Sequence, residues 1–353
     1  GEPLSLNQFL DNKAPDWRDS QALNPEKKPA WLTPTVNGLA NELMTRVNSA
    51  AAINGMALTA LCLLASKTQT MSKTELAQAM RDYLALFELA PYSANATLPK
   101  DDADALLDHT LSLKRLQVSE DNYGTLISPM PDNAVFLTYY RNNIIHLFAL
   151  PGIVMTAIFA HGKLEKTNIL QLIAALYPLL QRELFLHLSQ DEALAYTAQL
   201  IDAFKQTGML QQKGRYLALP EADSEQFHSS WLLSRCMQET LQRYAVVLTI
   251  LKRDKSISRN ALERESKTVA ERLSKLYGMH SPEFYDKNVL SSFISALRDN
   301  HWLDAGEDGS LKYSEEASAL RKDIMALVWP EIVQHLQQDI LQADREAGAD
   351  EKV

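Results

Sequence analysis

Three evenly spaced leucines constrain this chain most. Leu116 and Leu210 are 94 residues apart, and Leu210 and Leu303 are 93 apart. Each opens a short segment: Leu116-Gln117-Val118, Leu210-Gln211-Gln212 and Leu303-Asp304-Ala305. A turn follows each (Asn122-Tyr123-Gly124, Lys213-Gly214, Glu307-Asp308-Gly309). A second segment closes it (Thr125-Leu126-Ile127, Arg215-Tyr216-Leu217, Ser310-Leu311-Lys312-Tyr313). Gly behind a polar residue between two such runs signals a β-hairpin, because Gly takes the positive φ of a tight turn without steric cost. Self-similarity at a fixed period means that one supersecondary unit is used repeatedly.

Helical patterns precede each hairpin. The first carries Met44-Thr45-Arg46-Val47-Asn48, Tyr139-Tyr140-Arg141-Asn142-Asn143 or Leu241-Gln242-Arg243-Tyr244-Ala245. The next begins near Ser72, Lys166 or Ser258, with Ser or Thr at its start and apolar spacing behind it. The last carries Leu106-Leu107, Leu200-Ile201 or Phe293-Ile294 and runs into the marker leucine. Helix, helix, hairpin outlines a winged-helix module. The spacing therefore predicts a mainly α fold with small β-hairpins, in three winged-helix-like repeats at 37–130, 133–222 and 230–315. Residues 15–36, rich in Pro and charge, read as a linker. Residues 316–342 read as a C-terminal helix, and 343–353 as a disordered tail.

At 353 residues the chain can bury a sizeable core in two or three domains. Its net charge of -9 argues against a general nucleic-acid binder, which needs a basic face. The helices that would enter a groove begin Asp101-Asp102-Ala103-Asp104 and Asp191-Glu192. Acids there suit the helix dipole but repel phosphates, so no nucleic-acid partner is expected. Cys62 and Cys236 have no redox or zinc spacing and read as buried, reduced thiols. Ile144 to Ala160 is the most apolar stretch, but His146 and Pro151-Gly152 interrupt it. A core helix broken at Pro151 is expected rather than a membrane span. In 258–277, Leu262, Val269, Leu273 and Leu276 form an apolar face, with Gly278 as C-cap. Its mixed-sign opposite face reads as solvated. Trp17, Trp31 with Leu32, and Trp329 lie near Pro15, Pro34 and Pro330 and read as linker anchors or a helix break. Interfacial membrane contact is the other reading of the first two. No P-loop, nucleophile elbow, dinucleotide fingerprint or metal-ligand cluster occurs, so no cofactor is expected.

A set of segments carries a resemblance. They are Gly1-Glu2-Pro3-Leu4, Trp17-Arg18, Ala30-Trp31-Leu32-Thr33-Pro34-Thr35-Val36-Asn37, Pro91-Tyr92-Ser93 and Thr138-Tyr139-Tyr140-Arg141-Asn142-Asn143-Ile144. Glu239 to Ala245, Glu265 to Ser274 and Pro282 to Lys287 continue the series. In this order they resemble the region beyond the catalytic domain of bacterial membrane-bound glycerol-3-phosphate acyltransferases.

The resemblance implies a parent enzyme that moves a fatty acyl group from acyl-CoA or acyl carrier protein to the 1-hydroxyl of glycerol 3-phosphate, giving lysophosphatidate. The family's catalytic His-x4-Asp, in which His is the general base and Asp orients it, lies upstream of the matched region. Five positions after the eight histidines stand Lys114, Pro151, Lys166, Glu192, Leu233, Tyr285, Gly306 and Ile340. None is Asp; His187, with Glu192 in register, comes nearest. No catalytic residue is therefore assigned, and the chain alone is expected to be inactive.

Residues 1–14 would be the edge of the upstream acyltransferase domain, and the chain reads as cut from a longer protein. Its expected partners are that domain and, through it, acyl-CoA or acyl carrier protein, with peripheral contact to the cytoplasmic face of the inner membrane. The mixed-charge face of 258–277 is an alternative docking surface for the acidic carrier protein. Arg46, Arg141 and Arg243 recur at matching places in the repeat and read as structural. Arg141, in the segment most like the family, is the candidate contact to the catalytic domain. The alternative function is a non-enzymatic adaptor built of winged-helix modules.

Overall fold

In a computed structural model, residues 3–20, 28–130, 134–254, 256–279, 281–306 and 309–338 are described. The three predicted hairpins are present. Leu116–Asp121 pairs antiparallel with Gly124–Pro129, Gln211–Lys213 with Tyr216–Ala218, and Leu303–Ala305 with Leu311–Tyr313. Each gains a third strand that the sequence reading did not foresee: Met71–Ser72, Lys163–Glu165 and Ser256–Ile257. That strand pairs with the second strand of the hairpin, so every sheet has the order first, third, second. The registers Met71↔Ile127, Leu164↔Leu217 and Ile257↔Leu311 set apolar side chains opposite one another.

The order helix, strand, helix, helix, hairpin thus occurs three times. The helices are Gly55–Ala65, Lys73–Leu89 and Ala103–Ser112; then Ala149–His161, Lys166–Leu184 and Gln190–Gln206; then Gln238–Asp254, Arg259–Tyr277 and Lys287–Asp299. The protein is mainly helical with small three-stranded antiparallel sheets. Local chemistry sets the helix starts. Ser72 with Glu75, and Ser189 with Glu192, form reciprocal capping boxes. Asp102 and Asp286 accept main-chain N–H groups of the first turns that follow them. The first helix of each unit is buried along nearly its whole length, and in the first two units it is apolar almost all round, as a helix without a polar face must be buried.

A further helix precedes each unit: Leu32–Ser49, Ala134–Asn142 and Glu225–Arg235. The first starts inside the expected linker, because Pro34 falls in its first turn, where a missing N–H costs nothing. Residues 21–27 of that linker lie outside the described residues. Pro151 does not break its helix either. It occupies the first turn of Ala149–His161, and the chain instead bends by 69° between Val135–Asn142 and Ile145–His161. Together this bent pair has the length and apolar composition of a broken span, but no single described helix is long and apolar enough to cross a membrane.

The expected 316–342 helix is two helices. Glu315–Leu327 ends at an extended Val328, and a second helix runs over 330–338 with Pro330 opening it. Residues 339–342 and the expected tail at 343–353 lie outside the described residues. Gly278 caps Arg259–Tyr277 in the left-handed conformation, at φ 65°. Leu262 and Leu273 on that helix are fully buried, whereas Leu276 in its last turn is exposed.

Candidate functional site

The helix Ala134–Asn142 ends on Arg141 and Asn142, and Gln238–Asp254 carries Glu239 in its first turn. Their meeting puts a buried ion pair between segments 98 residues apart. Arg141 Nη1 donates to Glu239 Oε2 at 2.8 Å, with Arg141 only 8% exposed. Arg141 Nη2 donates to Ser281 Oγ at 3.2 Å, and Ser281 Oγ donates to the Glu239 carboxylate at 2.7 and 2.8 Å. Nε and Nη2 of Arg141 also reach Asn142 Oδ1, at 3.2 and 3.1 Å. Burial pushes the Glu239 carboxyl up, but the Arg141 charge and the Ser281 hydroxyl outweigh it and hold it below the usual carboxylate range.

A second pair adjoins the first. Arg243 pairs with Glu183 from Lys166–Leu184, and its Nη2 meets Thr240 Oγ1 at 3.2 Å. Asn142 Nδ2 donates to Glu283 in the 3₁₀ turn Pro282–Tyr285. Arg243 Nη1 donates to the Glu283 carbonyl at 3.4 Å. Burial disfavours the Arg243 charge, but Glu183 more than restores it. Two clefts of about 250 and 210 Å³ share Arg141, Cys236 and Glu239 in their walls. Such partnered buried charges fix the relative placement of helices, since removal of either member leaves a lone charge in the interior.

The three arginines matched by sequence do not occupy matching places. Arg46 and Arg141 end the helix that precedes their unit, whereas Arg243 lies inside the first helix of its own. The topological counterpart of Arg141 in the third unit is Arg235, at the end of Glu225–Arg235. The shared Arg lettering misaligned the third copy by about two helical turns. Arg46 is half-exposed and bonds Glu42 one turn back at 2.7 Å. Nothing in the local sequence marked Arg235, apart from Trp231 at a one-turn spacing. Its guanidinium lies 4.7 Å from the Trp231 ring centroid and 4.0 Å from that of Trp329. Trp329 is thereby engaged inside the fold, and Trp17 donates from Nε1 to Asp11 at 2.8 Å.

His187 is half-buried against Tyr92, with ring centroids 4.7 Å apart. Glu192 is used by its capping box, accepting from the N–H and Oγ of Ser189 at 2.7 Å each. The His187 Nδ1 has no hydrogen-bond partner within the protein, and Glu192 acts on the ring through its charge, which opposes the effect of burial. Cys62 and Cys236 are free thiols as expected, both pushed up by burial, Cys236 to about 12. Among the described residues no group of three or more His, Cys, Asp or Glu side chains could hold a metal ion.

Fold and site together define a mainly helical protein whose distant segments are joined by buried ion pairs. The chain belongs to the family described as the glycerol-3-phosphate acyltransferase C-terminal region, whose profile matches residues 1–306. It is 66% identical over 337 residues to a glycerol-3-phosphate acyltransferase of Alteromonas mediterranea, covering 96% of this chain and 41% of the relative. It is 51% identical over 338 residues to one of Pseudoalteromonas atlantica, covering 96% and 42%. The chain thus spans about two fifths of the length of these relatives.

Proposed function

We propose that this chain is the C-terminal helical region of a glycerol-3-phosphate 1-O-acyltransferase and braces a catalytic domain that precedes it. The observation that carries the reading is the family match over 1–306 in a chain where no His is followed by Asp at the fifth position. The general base must then come from elsewhere in the longer protein. The three units would be winged-helix-like modules used for packing. Arg141 would serve from within, holding the segments that present the docking face. Acyl-CoA or acyl carrier protein would be met through the catalytic domain, and the whole would sit peripherally at the cytoplasmic face of the inner membrane.

The test is acyl transfer from palmitoyl-CoA to labelled glycerol 3-phosphate in the presence of phospholipid. It compares this chain alone with this chain fused behind the remaining part of the Alteromonas mediterranea relative. Activity in the fusion alone is expected. Activity in the isolated chain would overturn the reading and direct attention to His187. A folded but silent fusion would favour the adaptor reading instead.

A further inference from the structure

The larger cleft contains a charge that its surroundings leave unbalanced. Arg235 is half-buried in its wall, donating from Nε to the Ala65 carbonyl at 2.5 Å. Among the described residues Arg235 has no ion-pair partner within 4 Å, and neither has Lys67, an exposed residue at the same cleft. Glu331 is near enough to favour the Arg235 charge, yet burial prevails and pushes the guanidinium down. Glu239, the other carboxylate of the lining, is already taken by Arg141 and Ser281. The wall therefore holds three cations against two carboxylates.

The floor is unsatisfied as well. Gln242 is fully buried, and neither its amide oxygen nor its amide nitrogen has a partner within the protein. Gln238, 3% exposed, donates to the Leu327 carbonyl at 2.9 Å but leaves its Oε1 unpartnered. An unpartnered buried amide group costs about 1–3 kcal/mol, and a core position would be more stable with a plain hydrocarbon. Gln69 on the rim adopts φ 53°, a left-handed conformation uncommon outside Gly and Asn. Strained backbone and unsatisfied polar groups gather where a site is shaped for a ligand rather than for stability.

We infer that this cleft is a binding site for a small phosphate-type oxyanion, held by Arg235 and Lys67 over the Gln242 floor. Set against the Trp231 and Trp329 rings, with its Nε held by Ala65, the Arg235 guanidinium keeps its two Nη groups for a bidentate contact with an oxyanion. Lys67 adds a point charge from the rim. A volume of about 250 Å³ admits a phosphate with a short polar substituent. The phosphate belongs either to a free anion or to a lipid headgroup, which share this chemistry. The inference stands apart from the acyltransferase reading, because it rests on residues of this chain alone.

The experiment measures binding of inorganic phosphate to the chain by calorimetry, with acetate as control. Flotation with phosphatidylcholine vesicles, with and without phosphatidic acid, tests the lipid-borne form. The expected result is saturable phosphate binding, or capture specific to phosphatidic acid, weakened about tenfold by Lys67→Met and further by Arg235→Gln, as for loss of a charge-assisted contact. Lys67 is exposed, so its variant keeps the test valid even where Arg235→Gln fails to fold. Gln242→Leu is expected to weaken binding while raising the unfolding temperature, which a purely structural amide would not do. Absence of binding in both formats, acetate binding as well as phosphate, or binding unmoved by Lys67→Met would overturn the proposal and leave a cleft that holds solvent only.

Discussion

His146 donates its Nε2–H to the main-chain carbonyl of Asn48, 2.9 Å away and 98 residues earlier in the chain. A carbonyl only accepts, so the contact fixes the neutral tautomer. The Asn48 side chain in turn donates to the Leu184 carbonyl at 2.7 Å. One residue thus ties the end of Leu32–Ser49 to two later helical segments. Burial pushes His146 down from an ordinary 6.5 to about 4; the Asn48 bond opposes the shift and His187 adds to it.

The first prediction follows from that shift. Between pH 6.5 and about 4 the unfolded chain binds a proton at His146 that the folded chain refuses. Folding stability therefore falls as pH drops through this window, by about 3 kcal/mol from this residue. His146→Gln keeps a donor for Asn48 and abolishes the titration. Urea unfolding at pH 7 and pH 4.5 should show a smaller acid loss in the variant.

The Arg141–Glu239 pair gives a second. Glu239→Gln leaves the Arg141 guanidinium buried without its counter-ion, at an expected cost of about 3–5 kcal/mol. The double change Arg141→Met with Glu239→Met should cost less than either single change, read from the midpoint of chemical denaturation. Because the Glu239 carboxyl is held below its ordinary 4.5, its contribution is complete above that pH and is lost as pH falls further.

Two helical glycines rank in a definite order. A Cβ on Gly55 would stand 2.8 Å from the Leu106 carbonyl, a backbone atom that cannot swing aside. On Gly152 it would meet Cys236 Sγ at 2.6 Å and Met237 Cγ at 2.9 Å, both side-chain atoms. Ala at either site should destabilise by about 1–3 kcal/mol despite its better helix propensity. Thermal unfolding should show the larger loss for Gly55→Ala.

Thiol labelling supplies the fourth. Burial raises both thiols, Cys236 to about 12, so neither forms thiolate at pH 8. Ellman's reagent should reach Cys62, which is buried, only after denaturation, and should react slowly with the partly buried Cys236. Prompt labelling of Cys62 in the native protein would contradict the burial of Gly55–Ala65.

The hairpins and caps were legible because their signals are local. A Gly after a polar residue, or a Ser ahead of apolar helical spacing, acts within one turn. The short strands at Met71, Lys163 and Ser256 had no such signal, since two or three residues show no period. Arg141 drew attention in the sequence, but its partners Glu239 and Ser281 lie 98 and 140 residues away. Arg235 was missed because lettering rather than topology aligned the third copy. Gln242 was unreadable: a Gln in a helix reads the same in sequence whether its amide is bonded or not. Pro151 and Pro34 misled for one reason, as a proline reads as a break until its place in the first turn is known.

The hydroxyl of Tyr83 donates to the Ser229 carbonyl at 2.8 Å, and Ser229 Oγ donates to Asp82 at 2.5 Å. Lys73–Leu89 of the first unit and Glu225–Arg235, the helix leading into the third, therefore touch across 146 and 147 residues of chain. Linear arrays contact only nearest neighbours and tolerate being shortened or lengthened. Here the helix that leads into the third unit packs on both the first and the second, so the order is not simply neighbour by neighbour. A chain stopped before residue 225 would therefore leave bare faces on two units at once, not on one.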